Sequence, residues 1–249
     1  MRGHLIVNPR SGSGPGDLVA EARRLGVRTH VLAEGDDAAE IAGATDADVL
    51  GVAGGDGSLG PVAAVALERG LPFVCVPLGT RNHFARDLGI ERETALRAFA
   101  SGRETRVDVG RANGRVFLNN VSLGLYARLL RHRRRTALSH ALWLALRDRH
   151  PEPFAVDGEA VTARVLLVAN NAYELDLFDV GARERLDEGQ LHLYLAGGLL
   201  PREWVERNGE RFTIEQPGGL RAAVDGEPAR FDSPLEVAIE PRALRILLP

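Results

Sequence analysis

Apolar residues along the chain fall into two rhythms. Up to about residue 104, short apolar runs alternate with stretches whose apolar positions recur at helical spacing. This predicts strands over 4–7, 27–32, 48–53 and 72–76 and helices over 17–25, 36–43, 59–69 and 91–101. Val49 to Ala53 is small and apolar throughout, as a strand buried on both faces requires. Strict alternation of strand and helix implies a parallel sheet wrapped by helices. From Thr105 the pattern turns strand-rich, with strands expected over 105–111, 115–121, 160–170, 190–196, 210–216, 219–225 and 235–239 between Gly, Pro, Asn and Asp turns. The expected fold is therefore an α/β N-terminal domain with a parallel sheet, residues 1–110, followed by a mainly antiparallel β-sandwich C-terminal domain, residues 111–243.

One segment departs from the strand-rich rhythm. Tyr126 to His150 places Arg128, Arg131, Arg133, Arg134 and Arg135 ahead of Leu138, Leu142, Trp143 and Leu146 on a predicted helix. A basic cluster followed by an amphipathic, Trp-bearing stretch suits an anionic bilayer surface. It equally suits a solvated basic face with an apolar stripe packed on a core.

Composition then removes several classes of activity. The formal net charge of −3 over 249 residues gives no global attraction to nucleic acid. All 31 basic residues are Arg and none is Lys, which excludes a P-loop kinase and a Schiff-base enzyme. Phosphate charge must be met by main-chain N–H groups, a divalent cation or Arg. The single cysteine, Cys75, lies within an apolar strand and reads as a buried, inert thiol. A strand begins within four residues of the start and no apolar run is long enough to span a bilayer, so a soluble cytoplasmic protein is expected.

Candidate chemistry gathers where strands end. Gly54-Gly55-Asp56-Gly57-Ser58 follows the third strand and precedes a helix, and Pro77-Leu78-Gly79-Thr80-Arg81-Asn82 follows the fourth. Asn8-Pro9-Arg10-Ser11-Gly12 follows the first. Glycines let main-chain N–H groups approach an anion closely, and a helix N-terminus adds partial positive charge there. Ligands in open α/β sheets bind outside the carboxyl ends of strands, where all three turns fall. The group reads as a nucleotide phosphate site. Asp56 is the odd member: it either caps the helix or works with Mg²⁺ or the attacking hydroxyl.

NPRSGSG, GGDGS and PLGTRNHFARDLG, in this order and spacing, resemble the catalytic domain of the diacylglycerol kinase family, which includes bacterial lipid kinases and sphingosine kinases. Leu118 to Gly124 resembles the segment opening that family's second domain, Arg185 to Leu191 its metal loop, and Val224-Asp225-Gly226-Glu227-Pro228 its catalytic turn. The GGDG motif is shared with NAD kinases and phosphofructokinases. The resemblance implies a lipid kinase using ATP and Mg²⁺, with the nucleotide between the two domains and residues 244–249 returning to the first. It implies that Asn8, Ser11, Gly54, Gly55, Gly57, Ser58, Gly79, Thr80 and Asn82 hold the nucleotide, and that Asp56 works with Mg²⁺. It also implies that Glu227 takes the proton from the acceptor hydroxyl with Asp225 orienting it. By the same resemblance Glu188 is expected to supply a metal-ligating carboxylate, with main-chain carbonyls of Arg185 and Gln190 beside it. From the residues alone, the Asp225-Gly226 turn is also an ordinary hairpin turn and Asp187-Glu188-Gly189 an ordinary acidic turn.

This chain departs from the family pattern at five places, one of them Glu188, where the family usually has Asp. Ser58 stands for Thr, Gly60 for Asn, His83 for Asp, and Ala33-Glu34 where relatives place a nucleotide-contacting Thr. A protonated His83 would pair with phosphate. The expected partners are ATP and a lipid substrate at a membrane surface, visited peripherally, with edge strands of the β half offering a homodimer contact. Three other functions remain open: a kinase of the same superfamily acting on NAD or a sugar phosphate, a nucleotide- or lipid-binding regulator without turnover, and a structural interaction domain, against which the three polar turns at one sheet edge argue.

Overall fold

The structure is a computed structural model and describes residues 2–12, 14–124, 151–174, 182–197 and 204–249; the basic segment Tyr126–His150 lies outside the described residues. The chain divides into two compact units, Met1–Val109 with Arg242–Pro249, and Gly110–Pro241.

The first unit runs β1 (Gly3–Val7), α1 (Leu18–Arg24), β2 (Arg28–Val31), α2 (Ala38–Ala44), β3 (Val49–Gly54), α3 (Asp56–Glu68), β4 (Phe73–Pro77), α4 (His83–Asp87), α5 (Arg92–Ala95) and α6 (Ala98–Ser101). Its strands lie in the order β2-β1-β3-β4, all parallel. The end of the last strand of the chain joins them, also parallel, with Ile246 opposite Phe73. Every residue of β3 and β4 is buried, which is why these stretches read as unbroken apolar runs. The order steps away from β1 in both directions, so the turns after β1 and β3 flank the switch point at which α/β sheets bind ligands.

Helix ends depart from the sequence expectation where capping decides them. Asp37 caps α2 by accepting from the N–H groups of Ala39 and Glu40 at 2.7 and 3.1 Å. Helix α3 starts at Asp56 rather than at 59, with Gly55 as N-cap, so Asp-Gly-Ser forms its first turn and Pro61 lies inside it. The helix expected over 91–101 is two short ones, α5 and α6, and α4 was not anticipated.

In the second unit follow β5 (Arg103–Ala112), which enters from the first, then β6 (Arg115–Phe117), β7 (Asn120–Gly124), β8 (Glu152–Val156), β9 (Glu159–Ala163), β10 (Val165–Asn170), β11 (Leu191–Ala196), β12 (Val205–Gly209), β13 (Arg211–Glu215), β14 (Leu220–Val224), β15 (Glu227–Phe231) and β16 (Leu235–Leu248). One antiparallel sheet has the order β12-β11-β10-β7-β14-β15, and a second contains β13 between β8 and the first half of β16. Val121, Leu123, Leu166, Val168 and Leu193 of the first pack against Phe154, Phe212, Ile214 and Val237 of the second. The unit is the antiparallel sandwich that the alternation implied. Two strands expected as single pieces are each two. The stretch 160–170 changes sheet at Arg164, and 115–121 breaks at Leu118 and Asn119.

Two glycines in the first unit should respond oppositely to the same substitution. A Cβ on Gly51 would lie 2.6 Å from the Phe99 ring and 3.2 Å from the Val74 carbonyl oxygen, whereas one on Gly43 of α2 meets nothing within 4 Å. Chemical denaturation should find Gly51→Ala less stable by about 1–3 kcal/mol and Gly43→Ala more stable by about 0.5–1 kcal/mol.

Candidate functional site

Three turns at the carboxyl end of the first unit's sheet are joined to one another. Gly12, at φ +53°, would drive a Cβ into the Leu78 carbonyl oxygen, so it packs main chain on main chain against the third turn. A Cβ on Gly79 would lie 2.6 Å from the Cα of Gly55 and 2.7 Å from Asn82 Oδ1. The Gly55 N–H donates to Ser11 Oγ at 3.2 Å, and Asn8 Nδ2 donates to Ser58 Oγ at 2.9 Å. Asn82 folds back on its own turn, accepting from the Gly79 N–H and donating to the Gly79 carbonyl, both at 2.8 Å.

Asp56 completes the group. Its Oδ2 accepts the His83 N–H and its Oδ1 the Phe84 N–H, each at 3.1 Å. The carboxylate at the first residue of α3 thus caps α4 and sets the distance between the second and third turns. Sequence reasoning offered a cap on its own helix; the cap is on another helix. His83, which replaces the family's Asp, has its Nδ1 3.0 Å from Arg86 Nη2. A guanidinium only donates, so Nδ1 accepts and the ring proton lies on Nε2. Burial pushes the His83 imidazole below its usual value, against the pull of Asp56 and with the push of Arg86 and Arg81. Without a bound anion the ring therefore favours its neutral form.

A cleft of about 910 Å³ opens beside the third turn, lined by Gly12, Thr80, Arg81, Arg86, Arg92 and Glu93 among others. Arg92 Nη2 reaches the carbonyls of Gly14 and Pro15 at 3.3 Å and ties the first turn to α5. Sequence reasoning missed these arginines. The absence of Lys was the available signal, since it forces any side-chain cation on phosphate to be Arg.

In the second unit the feature that organises the candidate site is Asp225, held at φ +48° in the turn between β14 and β15. Its Oδ2 accepts the Leu118 N–H at 2.9 Å, and its Oδ1 accepts those of Asn119 and Asn120 at 2.8 and 3.1 Å. The strand 115–121 breaks here because its N–H groups go to Asp225 instead of to a ladder. Glu227 stands two residues on, half-buried, at the start of edge strand β15. Behind the Asp225 clamp, Arg183, only 2% exposed, donates to the carbonyls of Leu118 and Asn170 and to Asn119 Oδ1 at 2.7–2.9 Å, and stacks over the Tyr173 ring. Asn170 Nδ2 donates to the Leu118 carbonyl at 3.1 Å. Neither Arg183 nor Asn170 was anticipated.

In the loop Arg185–Leu191 the expected carboxylate, Glu188, accepts a main-chain hydrogen bond. Arg185 pairs with Asp187 at 3.0 Å, the Gln190 carbonyl accepts the Asn171 N–H at 3.1 Å, and Glu188 Oε2 accepts the Ala172 N–H at 3.1 Å. Among the described residues no three His, Cys, Asp or Glu side chains are grouped to hold a metal ion. No helix among them is long and apolar enough to cross a membrane.

Residues 2–112 match the family model described as the diacylglycerol kinase catalytic domain. The chain is 31% identical over 133 residues to a diacylglycerol kinase of Bacillus subtilis (strain 168), covering 47% of this chain and 44% of that one. It is 34% identical over 133 residues to a diacylglycerol kinase of Staphylococcus saprophyticus, covering 47% and 43%. It thus spans less than half the length of these curated relatives. A solved diacylglycerol kinase structure from Bacillus anthracis str. Sterne shares the fold, with a TM-score of 0.71 over 100% of this chain and 97% of that one at 18% identity.

The clamp predicts a specific sensitivity. Asp225→Asn keeps one acceptor oxygen and turns an NH₂ donor towards main-chain donors, leaving at least one N–H unsatisfied. Thermal unfolding should show a cost of about 1–3 kcal/mol, a midpoint lower by roughly 2–10 °C.

Proposed function

We propose that the protein, whose residues 2–112 match the model of the diacylglycerol kinase catalytic domain, is an ATP-dependent lipid kinase that moves the γ-phosphoryl of Mg-ATP to a hydroxyl of a lipid such as diacylglycerol. The observation that carries this reading is the joining of three glycine-bearing turns by Asn8, Ser11 and Asp56 at the carboxyl end of one parallel sheet. Positioning and charge neutralisation supply most of the catalysis of phosphoryl transfer, and a set of turns held this tightly reorganises little as charge develops.

The first unit binds the nucleotide. The N-terminus of α3 and the turn 78–82 face its phosphates, with Gly54, Gly55, Gly57, Ser58, Gly79 and Thr80 allowing close approach. Arg81, Arg86 and Arg92, which line the adjoining cleft, contribute positive charge. A hydrated Mg²⁺ suits this donor set: such an ion keeps several waters and needs one or two carboxylates besides the phosphates, and Asp56 is the carboxylate at this end of α3. When bound it would neutralise charge on the transferring group.

The second unit supplies the base. As the resemblance of its turn implies, Glu227 takes the proton of the acceptor hydroxyl, and Asp225, which accepts three main-chain N–H groups, fixes the turn that carries it. A lipid acceptor requires that the protein act at a membrane surface, from the cytoplasmic side where ATP is available.

Phosphate transfer from γ-labelled ATP with Mg²⁺ tests the reading, offered lipids in mixed micelles and, separately, NAD and sugar phosphates. Label should enter the lipid phase, and Glu227→Gln should lower turnover roughly 100- to 10,000-fold with ATP binding retained. Label confined to a water-soluble acceptor would move the protein to another kinase class. ATP binding without any transfer would make it a regulator.

A further inference from the structure

The resembled family holds a divalent cation in the loop that corresponds to Arg185–Leu191, and the geometry of this chain points to a different arrangement. We infer that the loop is closed without a metal, by a bridge in which the His192 imidazole stands between Glu188 and Glu206, and that this bridge supports the Asp225 turn. The inference concerns this loop alone, and its failure is read in stability rather than in phosphate transfer.

A hard cation needs oxygens that converge on one point, six or more of them at about 2.0–2.6 Å including waters. Around Glu188 the nearby groups are hydrogen-bond partners of another kind. Its Oε2 has the Ala172 N–H at 3.1 Å on one side and His192 Nε2 at 3.3 Å on another. The Gln190 carbonyl is turned to the Asn171 N–H, and the Asp187 carboxylate is turned away to Arg185. The other ring nitrogen, His192 Nδ1, lies 2.8 Å from Glu206 Oε1 on the neighbouring strand β12. The ring thus makes its hydrogen bond to Glu206 through Nδ1 and turns Nε2 towards Glu188. The His192 side chain is 11% exposed and stacks on the Tyr194 ring at 6.2 Å between centroids, so its orientation is fixed by packing as well.

The bridge leads to the candidate catalytic turn through a continuous set of contacts. The Glu188 N–H donates to Asn171 Oδ1 at 2.9 Å, and Asn171 Nδ2 donates to Asn170 Oδ1 at 3.2 Å. Asn170 holds the Leu118 carbonyl, and the Leu118 N–H is one of the three that Asp225 accepts. The bridge is thus continuous by hydrogen bonds with the turn that carries Glu227. The longer Glu, where the family has Asp, is what reaches the imidazole.

The test is the thermal midpoint of the full chain without nucleotide, first in excess EDTA and then in millimolar MgCl₂. The parent should unfold at the same temperature in both media, and titration calorimetry of Mg²⁺ into it should give no saturable heat. His192→Ala and the milder Glu206→Gln should each lower the midpoint equally in both media. A parent midpoint raised by roughly 5 °C or more in Mg²⁺ and returned to the EDTA value by Glu188→Gln would overturn the inference, since that is the stabilisation expected of a site well above its dissociation constant. So would saturable Mg²⁺ heat that Glu188→Gln removes. If His192→Ala does not fold, the two measurements on the parent still decide.

Discussion

A main-chain N–H turned out of its ladder and away from water costs about 1–3 kcal/mol unless it finds an acceptor. In each unit the acceptor at the decisive turn is an aspartate. Asp56 takes the N–H groups of His83 and Phe84, and Asp225 those of Leu118, Asn119 and Asn120. Both are the acidic members of motifs that read first as chemistry. Their observed contacts are with the backbone, and without those contacts α4 would lose its cap and β6 and β7 the break between them. The site in each unit therefore depends on one carboxylate whose partners lie far away in sequence.

Glycine serves two ends in the same turns. Gly12 has a positive φ that suits it to a left-handed turn, yet the tighter constraint is the Leu78 carbonyl that a Cβ would strike. Gly55 and Gly79 pack with no side chain between them. This close packing brings the ends of β1, β3 and β4 together, but it also occupies main-chain donors of the turns. The N–H of Gly55 goes to Ser11 and that of Gly79 to Asn82. A ligand gains from the rigidity of such a frame because little is left to order on binding.

How much of this was legible follows from how local each cause is. Strands β1, β3 and β4 were legible because burial on both faces writes an apolar run directly into the sequence. Strand β15 was not, since Pro228 argues against a strand; the proline is tolerated because β15 lies at a sheet edge. Helix α4 was missed because its cap comes from Asp56, 27 residues before His83. The break in 115–121 was missed because the carboxylate that causes it lies 107 residues beyond Leu118. The glycine turns announced themselves as candidates, but the bonds joining them did not. Arg183 and Asn170 stood as single polar residues beside apolar runs, a pattern that more often marks a strand end than a buried network.

A chain without lysine also places a particular demand on its arginines. A lysine ammonium is a compact, strongly hydrated charge on a flexible stem, whereas the guanidinium offers a planar fork that suits phosphate but carries similar rotamer entropy. The arginines at the cleft are partly restrained in advance. Arg92 is tied to the carbonyls of Gly14 and Pro15, and Arg86 rests against His83 Nδ1. The replacement of an acidic residue by His83 fits the same logic. An Asp beside Arg86 would neutralise it, while an imidazole kept neutral by burial holds the guanidinium in place and leaves its charge available to an anion.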